Sequence, residues 1–215
     1  MTALLALLLA AAEPAFSAKW EKLDPPAAIA EPLRKLLAPE ALIVRGEKDV
    51  VMRVWFRDAI PVKATEEQVK NGLTYREIAE GTFVGVIEFP AEFTDYRRQK
   101  IAKGAYTLRF AIQPDIGDHT GTTPHPEFCL MSPAGKDTAA EPMPKKDLIE
   151  LSSEINDGKH PAVLLLFPYF GKEEGPKVQG KENGVTVVNL RRPVVAGELK
   201  ATLGFAITVA GMWKP

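Results

Sequence analysis

Apolar residues alternate with small or polar ones along much of this chain. The sharpest case is Ala105–Ile112, where Tyr106, Leu108, Phe110 and Ile112 alternate with Ala105, Thr107, Arg109 and Ala111. A period of two predicts a strand with one apolar face and one mixed face. Lys103-Gly104 reads as the turn that opens it, and Tyr96–Ile101, just before that turn, as its hairpin partner. Ala41–Arg45 and Val50–Phe56 flank the polar stretch Gly46-Glu47-Lys48-Asp49 and predict a second hairpin. Leu73–Ile78 and Thr82–Phe89 are further strand candidates, with Gly85 marking a bulge in the latter. Ala162–Phe167 is apolar without alternation, which predicts a strand covered on both faces. Val185–Leu190 and Leu203–Ala210 close the series, and Trp213 reads as an anchor behind them.

A helical period is rarer. Ile29, Leu33, Leu36 and Leu37 share one helical face, with Pro32 in the first turn, where its missing N–H costs little, and the helix ends at Pro39. Ala64–Asn71 predicts a helical turn or two stopped by Gly72. Asp147–Ile155 places Leu148, Leu151 and Ile155 on one face, with Asp147 as its N-cap. Ser132–Lys146 and Tyr169–Asn183 have no period and read as loops. Strands do not alternate with long helices, so a doubly wound sheet is disfavoured. The pattern predicts a mainly β protein: an antiparallel β-sandwich with one or two short peripheral helices, formed by residues 19–215 as a single domain.

Composition narrows the function classes. The chain has 215 residues, 46% hydrophobic and 26% charged, with a formal net charge of −1, enough for one well-formed core. No dense basic run exists, so a nucleic-acid partner is not expected, and Arg97, Arg98, Lys100 and Lys103 read as a solvated hairpin edge. The single cysteine, Cys129, excludes an internal disulfide and reads as a buried thiol. The apolar run Ala3–Ala12 is too short to span a bilayer but has the length of a signal-peptide core. Residues 1–18 are therefore expected to be a signal peptide, with cleavage sites after Ala12 and after Ser17 both satisfying the small-x-small rule. Export to the periplasm or beyond follows, and an integral membrane protein is not expected.

Candidate chemistry gathers in the polar loop after Ile112. Asp115, Asp118, His119 and His125, with Glu127 beside them, supply carboxylates and imidazoles of the kind that hold a divalent metal such as zinc. Their spacing matches no helix-based zinc signature. Each also has a structural reading: the aspartates suit Asx-turns beside Gly117, and Pro124 and Pro126 fix extended backbone around His125. The structural reading is preferred, and the metal site is the alternative. A Cys129 nucleophile with His119 or His125 as base lacks any supporting signature. Trp55 reads as packing, His160 as a residue near a helix end, and Tyr169, Phe170, Gly171 and Lys172 as a loop anchor or an aromatic lip. There is no nucleophile elbow, phosphate loop or paired-cysteine motif, so the reading leans against an enzyme.

The stretch Lys103–Phe110 (KGAYTLRF) resembles the hairpin of uncharacterised secreted bacterial β-sandwich proteins, and the longer run GAYTLRFAIQPDIGDHTGTTPHPEF resembles members of such families of unknown function. The resemblance implies a sandwich fold and export, and carries no activity and no catalytic residues. The resulting expectation is an exported, non-enzymatic binding or envelope-associated module whose partner is a protein or a glycan. The alternative is a metal-binding protein or metal-dependent hydrolase using the Asp115–His125 loop.

Overall fold

Both faces of most strands are buried, and that fact governs the architecture. The computed structural model describes residues 15–114 and 123–212, so Trp213 lies outside the described residues. The strands are β1 (Ser17–Lys22), β2 (Glu40–Arg45), β3 (Val50–Phe56), β4 (Ile60–Pro61), β5 (Phe83–Phe89), β6 (Phe93–Thr94) and β7 (Lys100–Ile101). They continue as β8 (Gly104–Ile112), β9 (Glu127–Pro133), β10 (Ala162–Phe167), β11 (Lys177–Gly180), β12 (Thr186–Ala196) and β13 (Leu199–Ala210). Three short helices accompany them: α1 (Glu31–Arg34), α2 (Glu66–Asn71) and α3 (Lys145–Ser153). The mainly β expectation holds.

The expected stack of two sheets gives way to one curled sheet, a half-barrel, with a hydrogen-bonded path β1-β2-β3-β5-β8-β9-β10-β13-β12-β11. The turn in the path lies at β10. Ala162–Leu165 pair with β9, whereas Leu166 and Phe167 pair with β13. One strand that changes partner halfway joins two arms without breaking the ladder, as corner strands do where a sheet folds over its own core. The curl brings the two ends of the path, β1 and β11, within 8 Å of each other, Cα to Cα. A second, two-stranded ribbon pairs β6 with β7.

The concave side holds the main core. Phe56, Phe205, Tyr75 and Phe110 form a chain of ring contacts with centroids 5.3–6.2 Å apart. Tyr75 belongs to a segment expected as a strand, Leu73–Ile78. It is instead a 3-10 turn, because the Thr74 hydroxyl accepts from Arg76 N–H while the Glu77 carboxylate accepts from Thr74 N–H. The Tyr75 hydroxyl donates to the Phe167 carbonyl and accepts from Ala206 N–H, at 2.9 and 3.1 Å. It thus plugs the spot where β10 and β13 part. Arg192 closes the opposite end, its guanidinium 5.0 Å from the Trp20 ring and 5.5 Å from the Phe56 ring.

The convex side is covered in two places. α1 and the turn leading into it pack Leu33 and Ile29 against Ile43, Trp55 and Val86, and the Trp55 indole donates to the Leu23 carbonyl at 2.7 Å. Its role is packing, as expected. α1 is one turn, shorter than the Ile29–Pro39 helix expected, with proline in its first turn as foreseen. α3 starts at Lys145 behind Pro144 rather than at an Asp147 cap, and lays Leu148 over β9 and β10. α2 has the capping box Thr65–Gln68 and stops at Gly72 as expected.

One correction concerns β8. Tyr96–Ile101 does not pair with it: β8 runs between β5 and β9. Asp95 bends the chain by accepting from the N–H groups of Arg97 and Gln99, so a hairpin arm becomes a tight turn. The mixed face of β8 is buried as well. Arg109 is fully buried and forms an ion pair with buried Asp137 at 2.8 Å. It also donates to the carbonyls of Gly81, Ala139 and Glu141. The Ser132–Lys146 stretch, expected as a surface loop, is therefore pinned to the sheet by a buried carboxylate, and its first two residues belong to β9.

Candidate functional site

Five segments meet on the convex side and leave a cavity of about 210 Å³ between them. Its floor is Ala111 from β8, Leu130 from β9, and Val163 and Leu165 from β10, all of them convex-face side chains. Leu148 and Ile149 of α3 form one wall, and Tyr96 forms another. The helix is held at this distance by polar stitches at both ends. Near its start, Lys145 Nζ lies 3.0 Å from Glu80 Oε1, and that oxygen also accepts from Ile112 N–H at 2.9 Å. Near its end, the Ser152 hydroxyl accepts from Ala162 N–H at 3.0 Å. The cavity therefore stays open because its walls are tied to the sheet by bonds that leave apolar surface uncovered between them.

The Tyr96 wall is set by Asp95, which is 0% exposed. One Asp95 oxygen accepts from Arg97 N–H and Gln99 N–H at 2.9 and 2.8 Å; the other accepts from Gln99 Nε2 and Val163 N–H at 3.0 and 3.3 Å. Gln99 in turn donates to the Pro161 carbonyl. Burial raises the Asp95 carboxyl above its ordinary value, against the four donors that favour its charged form. Tyr96 is only 5% exposed, and its hydroxyl has no hydrogen-bond partner among the described residues. Burial pushes that phenol well above its ordinary range, so it stays protonated. At the mouth stand Arg97 and His160, both exposed, beside the Glu80–Lys145 pair.

Of the metal residues expected from the sequence, Asp115, Asp118 and His119 lie outside the described residues. His125 is described, half-buried, with its ring edge-on to Phe167 at 4.9 Å between centroids. Burial lowers its imidazole below the ordinary value, with the Glu127 carboxylate pulling the other way. Among the described residues no three His, Cys, Asp or Glu side chains come together as a metal site. Cys129 faces the concave core, and burial pushes its thiol up to about 12, so it is a neutral packing residue at physiological pH. Tyr169 is half-buried, with its hydroxyl donating to the Glu173 carbonyl, whereas Phe170 is 75% exposed. The loop thus has one anchor and one exposed ring.

Neither Asp95 nor Tyr96 stood out in the sequence. The available signal was an Asp placed two residues before an N–H it can accept, an Asx-turn cue at Asp95-Tyr96-Arg97. Among the described residues no helix is long and apolar enough to cross a membrane. Comparisons with protein-family models, with curated proteins and with solved structures found no match.

Proposed function

We propose that this protein is an exported, non-enzymatic binding module that takes a small, largely apolar group into the cavity under α3. The observation that carries this reading is the cavity itself: an apolar floor and walls under a charged mouth. Binding sites have this composition, with apolar lining and few convergent polar groups. At about 210 Å³ the space is below the roughly 300–1,000 Å³ of clefts that hold drug-sized molecules. It exceeds the ~150 Å³ apolar cavity that admits benzene, so a single ring or a short branched chain is the size to expect. Export is supported by the apolar run Ala3–Ala12, and the partner is then a small molecule or the apolar tip of a protein or glycan conjugate.

Titration of toluene and indole into the protein, followed by methyl NMR, tests the reading. Saturable shifts at Leu130, Leu148, Val163 and Leu165 are expected, and Ala111→Leu, which fills the floor, should abolish them with the fold intact. Absence of saturable shifts at these methyls in the wild type would overturn the proposal.

A further inference from the structure

The main sheet has an open edge besides the two ends of its path. β10 pairs with β13 only at Ile207 and Ala206, whereas β13 begins at Leu199. The two-residue turn Gly197-Glu198 sets Leu199 opposite Ala196, so the odd-numbered residues of β13 bond to β12. The even-numbered ones direct N–H and C=O the other way, as Ala206 does when its N–H donates to the Tyr75 hydroxyl. At Lys200 and Thr202 that side meets no described strand. Of their backbone groups on that side, only the Thr202 carbonyl has a partner among the described residues, the Arg191 guanidinium at 3.1 Å. A groove of about 800 Å³ runs along this edge, lined also by the end of α2 and by the connection between β10 and β11. No lining residue adjoins an undescribed one in the sequence. Phe170, 75% exposed, belongs to this lining. So do Lys172 and Lys200, both exposed and without an ion-pair partner among the described residues. Lys70 is already paired with Glu66, and Arg191 is engaged with Thr202 and the Gly171 carbonyl. Glu174 is the one carboxylate among the lining residues.

We propose that this edge takes up an extended, acidic peptide segment of a partner protein as an added strand beside β13. The main chain provides the pairing, since an open edge presents its N–H and C=O groups to any extended chain. Lys172 and Lys200 provide the choice of partner, because a strand with carboxylates at alternate positions sets them all on one face. The same two lysines act against a second copy of this edge, which would bring four ammonium groups into one groove. Phe170 gives an apolar residue of the segment a ring to pack on. The site is separate from the cavity under α3, and neither reading depends on the other.

The test is a calorimetric and amide NMR titration with an end-blocked hexapeptide that alternates aspartate and valine, and with its lysine–valine counterpart. Two further forms of the acidic peptide carry N-methyl groups on alternate amides, in opposite phase. The acidic peptide is expected to shift the amides of Lys200 and Thr202 and to bind about tenfold more tightly than the basic one. One methylated form should lose binding, because its methyl groups face β13, and the other should keep it. Lys172→Glu/Lys200→Glu changes two exposed side chains, so its melting temperature should match the wild type while its preference turns to the basic peptide. Equal behaviour of the two methylated forms would overturn the added strand, since attraction by charge alone does not depend on their phase. A basic peptide bound as tightly as the acidic one would overturn the class of partner. No shift at Lys200 and Thr202 with any peptide would overturn the site. A dimer of the free protein with those two amides at its interface would give the edge to a second copy and would overturn the proposal as well.

Discussion

Arg109 shows how much a single residue can decide in this protein. It projects from the middle of a strand into a fully buried space, and its charge is tolerable only because Asp137 meets it with both carboxylate oxygens at 2.8 Å. Burying a charge without a partner is far more costly than burying a pair. Asp137→Ala should therefore lower the unfolding free energy by about 3–5 kcal/mol, read from the denaturant midpoint, which is the cost of stranding one member of a buried pair. A loss below 1 kcal/mol would mean that water reaches the guanidinium. His125 makes a milder, pH-dependent claim. Its folded-state pKa is depressed, so the unfolded chain takes up a proton more readily than the folded one. Its contribution to stability is then complete above the unfolded value of about 6.5 and is lost as pH falls through the depressed folded value. In a pH series of denaturation midpoints, His125→Gln should lose less stability than wild type below pH ~6.5. Parallel curves would show that the ring against Phe167 is not desolvated.

Element by element, the close approach of β5 to β3 gives the cleanest test. The ladder between β5 and β8 shifts register at Gly85, and a Cβ there would sit 2.3 Å from the Trp55 carbonyl oxygen. Backbone cannot retreat as a side chain can, so Gly85→Ala should cost about 1–3 kcal/mol, and tryptophan emission should report the displaced Trp55. That bulge was legible in the sequence, as were β2, β3, β8, β10, β12 and β13, because period-two alternation or an unbroken apolar run reports directly on side-chain placement. Tyr96–Ile101 was not. Its apolar and polar residues suit a strand, and only the Asp95 carboxylate, which competes for backbone N–H groups, turns it aside. Asp137 was invisible for a different reason: its partner lies 28 residues away, and no local period records a contact of that range. The cavity shares this property. It is assembled from Tyr96, Ala111, Leu130, Leu148 and Val163, which come from separate elements, so only the fold brings them together.

For the whole molecule, the curl of the sheet leaves β1 and β11 as its two edges, brought close together. β1 pairs with β2 over six residues from Ser17 to Lys22, so the expected boundary at residue 18 falls inside a strand. An N-terminus at Glu13 keeps every pair, whereas one at Ala18 removes Ser17 from opposite Arg45. A chain begun at Leu23 should uncover the β2 edge and strip Trp20 from Arg192; light scattering should then show self-association at concentrations where the full strand keeps the protein monodisperse. The partner change within β10 also bears on assembly order. From β1 to β10 the main path follows the order of synthesis, so this arm can zip up as the chain emerges. The other arm cannot attach in that way, because its joining strand, β13, follows β11 and β12 in the chain. Ala206 lies on that strand, opposite Phe167, and its N–H is the donor that holds the Tyr75 hydroxyl. Docking the late arm and seating the tyrosine plug are thus a single event, and the early arm waits for it with its concave face still open to solvent.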